Sequence, residues 1–327
     1  MTRLGFFTRL LEDADAAQRY SYALEQVRHA ERHGFDTAWV AQHHFNGAEG
    51  GLPSPLVLLA AAAALTDRIR LGTAIVTLPL EDPVRLAEDA AVLDTLSGGR
   101  FELGVGSGGT ASSFGVFGRR SEDRGRLLGE HLERLRGLLA GPTLYPPAPG
   151  LGDRIWQATF SVEGGARAGR AGDGLLLSRT QPRPPDRPRA ALAEVQQPII
   201  DAYLDALPAN VPPRILASRT LVVGDDRERL LAVSERGLRR AAASLAAAGH
   251  RFESDELADL IAGTDTHIGA VEDVVASLSA DATLARATDV AFQVHSVDPG
   301  HELTLRSIEL TASAVAPALG IGTLASV

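Results

Sequence analysis

Two histidines stand side by side at His43 and His44, just after the run Thr37–Ala41, which reads as a strand. An imidazole titrates near pH 6.5 and can take or release a proton at working pH. Neighbouring residues of an extended segment point to opposite faces, so this pair cannot clamp one metal ion. One of them can still project over the C-terminal end of a barrel strand, where catalytic groups of that fold sit. A structural histidine and a catalytic one both fit the position. His29 and His33 have the i, i+4 spacing of two zinc ligands on one helical face. No carboxylate or third histidine stands at a usable spacing in the sequence, so the pair reads as a solvated helix face and no metal site is assigned. GVGSGG at 104–109 fits G-x-G-x-x-G, but the TASSFGVFG that follows is too rich in glycine and serine for the helix a dinucleotide fingerprint needs, and the segment reads as a loop. No serine-hydrolase elbow surrounds Ser107, since Val105 stands two residues before it. Small residues around Ser161, Gly164 and Gly165 open a helix. Free backbone N–H groups there can meet a phosphate, or Ser161 can simply cap the first turn.

Composition narrows the chemistry further. The chain has 327 residues, with 41 acidic against 32 basic ones and a formal charge of -9; every basic residue is arginine, cysteine is absent and Met1 is the single methionine. Schiff bases on lysine, a P-loop lysine, nucleophilic thiols, thiolate metal sites and disulfides are therefore excluded. A GC-rich coding sequence is the simplest source of the bias. Hard chemistry must come from His, Asp, Glu, Ser, Thr, Tyr, Arg or a borrowed cofactor. The acidic balance argues against a nucleic-acid partner. The longest apolar run, Leu56–Leu65, is ten residues, too short for a bilayer, and the start MTRLGFFTRLLEDAD shows no secretory signal. A soluble, cytoplasmic protein with no membrane partner is expected.

The elements that must position these residues alternate along the chain. Short β-rich runs at Leu4–Thr8, Thr37–Ala41, Ile69–Thr77, Arg100–Val105, Ile155–Thr159, Gly174–Ser178, Arg214–Val223 and Asp289–Val294 are separated by segments of helical period. In one of these, Leu128, Leu132, Leu135 and Leu139 fall on a single face. The last helix is expected over Leu303–Leu319. Eight strands with intervening helices predict an α/β fold, a (β/α)8 TIM barrel spanning 1–327 as one domain. The segment RTQPRPPDRPR at 179–189 is a proline-rich insertion, which we read as a lid.

GFDTAWVAQHHF (34–45), the run from Ile69 to Gly108, FGVFG (114–118) with the later Arg124 and Glu130, and AGRAGDGLLLS (168–178) together resemble the bacterial luciferase-like flavin monooxygenases. The resemblance is close over residues 1 to about 180 and looser over IGAVEDVVASL (268–278) and the last helix. It implies a barrel that binds reduced FMN at its C-terminal mouth, with O2 oxygenating a small organic substrate, a separate flavin reductase and a homodimer. The alternatives within the resemblance are a deazaflavin-dependent oxidoreductase and a non-catalytic flavin-binding relative. His43 matches a histidine implicated in proton handling beside the flavin ring, although Gln42 stands where the family has glutamate. Thr73, Ala74 and Ile75 match a segment under the flavin that often carries a non-prolyl cis peptide. Gly106, Ser107 and Gln157 are carried over as cofactor-binding positions, and Ser161, Gly164 and Gly165 match the phosphate loop. Arg179 has no firm counterpart and is expected to meet the flavin phosphate or an anionic substrate, since a guanidinium binds oxyanions bidentately.

Overall fold

A ring of parallel strands closes on itself in the computed structural model, which describes residues 1–247, 249–294 and 297–322. The strands are β1 (Arg3–Thr8), β2 (Thr37–Val40), β3 (Arg70–Thr73), β4 (Val76–Thr77), β5 (Phe101–Gly106), β6 (Ile155–Ala158), β7 (Gly174–Leu177), β8 (Ile215–Val223), β9 (Thr266–Gly269) and β10 (Asp289–Gln293). β10 pairs with β1 on one side, at Phe7 opposite Gln293, and with β8 on the other, at Gln293 opposite Thr220. The ring order is β1-β2-β3-β5-β6-β7-β8-β10, with helices in the connections, so the expected (β/α)8 barrel is the observed architecture.

Three local expectations are corrected. The single strand expected over 69–77 is two, β3 and β4, with the cis Ala74–Ile75 peptide between them. β9 went unread because THIG is too short to show a period; it lies along the outer end of β8, off the ring. The last helix is not continuous but passes from an α-helix at His301–Leu310 into a π-helical turn at Thr311–Val315. The leucine face acts as read, with Leu128, Leu132, Leu135 and Leu139 buried along Arg124–Ala140. Asp82 caps the helix Pro83–Leu96 by accepting from the N–H groups of Val84 and Arg85. No helix among the described residues is long and apolar enough to cross a membrane.

Strand alternation sorts side chains into two cores. Leu4, Phe6, Leu71, Leu103 and Val290 face the helices, whereas Phe7, Trp39, Ala41, Trp156, Leu176, Leu216 and Ala291 fill the barrel axis. The two indoles meet edge to face, with ring centroids 5.5 Å apart and planes at 83°. They fit only because the strands facing them carry glycine. A Cβ at Gly72 would fall 2.2 Å from a Trp39 ring carbon, and one at Gly174 would fall 2.1 Å from a Trp156 ring carbon. Below them, Arg70 Nε binds Glu102 at 2.6 Å, Glu102 accepts from Trp156 Nε1 at 2.8 Å, and Arg3 Nε lies 2.7 Å from Asp289. Indoles and ion pairs fill the N-terminal end of the axis.

Adding one methyl group to a filled core costs about 1–3 kcal/mol through displaced neighbours. Gly72→Ala and Gly174→Ala are each expected to lower the unfolding free energy by that amount in urea denaturation. Gly129→Ala, on an exposed helical position with open space around it, is expected to be neutral or stabilising.

Candidate functional site at the barrel mouth

After β2 the chain continues extended, so Ala41 faces the barrel axis, Gln42 turns outward and His43 faces in again. Gln42 has every polar group engaged. Its Nε2 donates to Glu81 Oε1 at 2.7 Å and to the Pro53 carbonyl at 3.1 Å, its Oε1 accepts from the Thr77 N–H at 2.7 Å, and its own N–H donates to the Ile75 carbonyl at 3.2 Å. Its role is to fasten the end of β2 to the segment that carries the cis peptide. A carboxylate here would lose the donor and face Glu81, which explains in physical terms how glutamine serves at this position.

His43 Nε2 lies 3.1 Å from Arg9 Nη2. An arginine can only donate, so Nε2 accepts and the ring proton sits on Nδ1. That Nδ1 is buried and carries no hydrogen bond among the described residues. The loop after His43 closes against the ring at Gly50, where a Cβ would fall 2.4 Å from Nδ1. Burial first, then the charges of Arg9 and Arg179, push the imidazole down to about 3. His44 points the other way and packs on Phe117, with centroids 4.9 Å apart.

Two arginines complete the mouth. Arg9 follows β1 directly, reaches the Glu49 carbonyl as well as His43, and its Nε finds no partner among the described residues. Burial lowers its guanidinium to about 10 against the opposing pull of Glu49, and Arg240 adds repulsion. Arg179, just beyond β7, is buried. Its Nε donates to Gln293 Oε1 at 2.5 Å and its Nη1 to the Thr220 hydroxyl at 3.3 Å, two side chains that face the axis from β10 and β8. Burial, with Arg9 adding to it, holds Arg179 well below its ordinary value, and Asp265 opposes from a distance. Gln293 Nε2 is a further buried donor without a partner among the described residues. Guanidiniums desolvated without an ion pair are an electrostatic cost that an incoming anion relieves.

The residues singled out in the sequence separate into groups. His43 and Arg179 converge, within reach of each other's charge. Ala74, Ile75 and Gly106 lie on one side of the axis, with an Ile75 side-chain carbon 3.1 Å from where a Gly106 Cβ would stand and Ala158 beyond it. Ser107, half-buried, follows at the end of β5. Thr73 and Gln157 turn outward. The Thr73 hydroxyl bridges β3 to β5 by donating to the Gly104 carbonyl and accepting the Gly104 N–H, and Gln157 links Asp173 to Arg167 in the helix layer. Ser161 is exposed and its hydroxyl accepts the Gly164 N–H at 3.1 Å, while Gly165 lets the helix Val162–Arg170 press on the Ile199 carbonyl, 2.5 Å from its would-be Cβ. The sequence reading missed Arg9 and Gln293. Their signal was positional, one just beyond β1 and the other on the inward face of β10.

A cavity of about 510 Å³ flanks the mouth, lined by Glu12, Gln18, Tyr22, Arg236, Arg240 and His301 among others. It lies outside the ring of strand ends, between helices, so the imidazole and the anion-attracting groups sit beside it and not within it. Arg240 joins the two, since its charge is felt at Arg9.

A pH dependence follows from His43. Its folded value, about 3, is below the unfolded value of about 6.5, so between those limits the unfolded chain binds the extra proton. The stability it contributes is complete above pH 6.5 and declines as pH falls toward 3. His43→Gln is expected to remove part of the loss of stability between pH 7 and pH 4, measured by chemical denaturation at each pH.

With the geometry described, comparison with known proteins is informative. A family model described as luciferase-like monooxygenase matches residues 2–291. Limonene 1,2-monooxygenase of Rhodococcus erythropolis is 34% identical over 186 residues, 52% of this chain and 48% of that protein. The chain spans about half the length, or less, of the curated relatives it matches. In fold, it is similar to the oxygenating constituent of 3,6-diketocamphane monooxygenase from Pseudomonas putida in complex with FMN (TM-score 0.73, 17% identity, 97% and 98% of the two chains). It is also similar to an F420-dependent secondary alcohol dehydrogenase in complex with an F420–acetone adduct (TM-score 0.70, 17% identity, 97% and 99%). The match over residues 2–291, on a closed barrel with this mouth, places the chain in the luciferase-like monooxygenase family.

Proposed function

We propose that the chain is an FMN-dependent monooxygenase that uses reduced flavin from a separate reductase, and O2, on a small organic substrate. The observation that carries the reading is the pair of desolvated guanidiniums, Arg9 and Arg179, flanking a neutral His43 at the C-terminal mouth of the barrel. Those residues fit the cofactor. Arg9, Arg179 and Gln293 offer donors to an anionic or carbonyl-bearing group, and Ala41, Ala74, Ile75 and Ala158 offer an apolar wall for a flat ring. Gly106 adds no side chain where a ring must approach, and Ser107 can donate beside it. When bound, reduced flavin supplies the electrons for oxygen activation.

The chain's own work is binding and orientation. Arg179, fixed by Gln293 and Thr220, and Arg9, fixed by the Glu49 carbonyl, hold negative charge without moving. His43 stays neutral at working pH with its Nε2 held by Arg9, so its Nδ1–H serves as a fixed hydrogen-bond donor and the ring keeps Arg9 oriented, without giving up a proton. The 179–189 segment excludes water: Arg183 is ion-paired with Asp265 and Arg189 with Glu253, which pins the loop to the neighbouring 250–265 segment.

Purified protein titrated anaerobically with reduced FMN and, separately, with reduced F420 tests the reading. Micromolar binding of FMN is expected, weakened at least ten-fold in Arg179→Ala. His43→Ala is expected to bind FMN within about three-fold but to lose about 10²–10³ in oxygen-dependent product formation, the range for removing one fixed hydrogen-bond donor. Binding of F420 alone would move the chain to hydride transfer without oxygen. Tight FMN binding without any reaction on mixing with oxygen would make it a flavin-binding relative without turnover, and an Arg179→Ala variant with unchanged affinity and turnover would remove Arg179 from the site.

A further inference from the structure

The histidines on the first helix gain in the fold what the sequence denied them, a carboxylate from the far end of the chain. His29 lies in the helix Ala16–Arg32 and His33 caps it, with ring centroids 4.5 Å apart. Glu309, from the helix His301–Leu310, packs against this turn. Its Oε1 is 3.2 Å from His29 Nε2 and 4.0 Å from His33 Nε2, and one ligand atom from each of the three residues lies within 4.8 Å of the others. Zinc bonds of about 2.0–2.2 Å in a tetrahedron space the ligand atoms about 3.4 Å apart, so small side-chain rotations bring all three onto one ion.

Two further features distinguish this cluster from a chance surface group. The His29 ring is buried beside the Leu305 carbonyl and Glu309, and its Nε2 meets the carboxylate at 3.2 Å by proximity without the alignment of a hydrogen bond. The Glu309 carboxylate is also aimed. Its Oε2 accepts from Arg306 Nη1 at 2.9 Å, and Arg306 is itself clamped by Asp225 at 2.8 and 2.9 Å, which leaves Oε1 for the two imidazoles. Such outer partners fix ligands in known metal sites. Burial, then His33, lowers the proton affinity of His29, and the hydrogen bond from Arg306 lowers that of Glu309, so neutral imidazole and ionised carboxylate are the favoured forms. Arg32, which lies 3.1 Å from His29 Nδ1, is exposed and free to swing away when that nitrogen takes the ring proton.

We propose that His29, His33 and Glu309 bind a divalent transition-metal ion of the zinc type, with water completing the coordination, and that the ion fastens the first helix of the chain to the last. His29 lies about 20 Å along its helix from the end that follows the mouth, at 1.5 Å per residue. The ion would therefore act on the stability of the barrel and not on the reacting atoms.

The test uses untagged full-length protein stripped with a chelator, titrated with zinc chloride by calorimetry and followed by thermal unfolding. One saturable micromolar site per chain is expected, with a rise in Tm that chelator reverses. Glu309→Gln, which keeps an acceptor for Arg306, and His33→Asn are each expected to weaken zinc at least ten-fold and to abolish the Tm rise, with the metal-free Tm and FMN affinity unchanged. Absence of saturable binding, or zinc affinity and Tm rise retained in both variants, would overturn the site. Neither result bears on the flavin reading, which is measured at the other end of the barrel.

Discussion

The crossing of Trp39 and Trp156 on the barrel axis is the constraint from which the rest follows. Two fully buried indoles, 5.5 Å apart and edge to face, require strands that give up their own side chains, and Gly72 and Gly174 do so. Each aromatic of this size buries about 150–250 Å², so at about 25 cal/mol per Å² each contributes on the order of 4–6 kcal/mol, an upper estimate. This burial makes the barrel a filled core. It also divides the axis chemically, with paired charges at the floor, where Arg3 meets Asp289 and Arg70 meets Glu102, and guanidiniums at the mouth that hold only neutral partners among the described residues.

That asymmetry decides what the mouth can do. The floor carboxylates are spent on their own arginines, and the indoles separate them from Arg9 and Arg179, so the mouth keeps its positive charge in a poorly solvated place. Burial keeps His43 neutral and the same charge reinforces it, because protonating the ring would add a third cation to a buried pair. One arrangement thus leaves two desolvated guanidiniums beside a neutral imidazole. Gln42 belongs to it as well: held by Glu81, Pro53 and Thr77, it keeps the end of β2 in the register that turns His43 inward.

The strand runs, the helix stops and the inward aim of one histidine of the pair were legible in the sequence, because each depends on neighbours within a few residues. The cis peptide at 74–75 was reached only through resemblance, since GTAIV looks like any buried strand. Resemblance also names a position without its direction. Thr73 and Gln157 came from it as cofactor positions, yet alternation against Gly72 and Trp156, both inward, turns them to the outside. That alternation was present in the sequence. What no local pattern could supply is closure: Gln293 meets Arg179, and Glu309 meets His29, only because β10 returns to β1 and β8 and the last helix lies against the first.

The phosphate question shows how packing redistributes a task. With no lysine in the chain, charge for a phosphate must come from arginine, or its binding from backbone N–H groups. At the helix Val162–Arg170, the Gly164 N–H is already taken by the Ser161 hydroxyl. Gly165 and Gly169 serve a different need: Cβ atoms there would fall 2.5 Å from the Ile199 carbonyl and 2.3 Å from that of Tyr203, so these glycines let the neighbouring helix Leu192–Ala206 approach. A small-residue helix start that looks built for an anion is thus also explained by close packing of two helices. Positive charge that outweighs the distant pull of Glu49 and Asp265 lies instead on Arg9 and Arg179, and an anion settling there would gain both the Coulomb attraction and relief of their desolvation, whereas at the helix start it would gain only what the Ser161 cap leaves free.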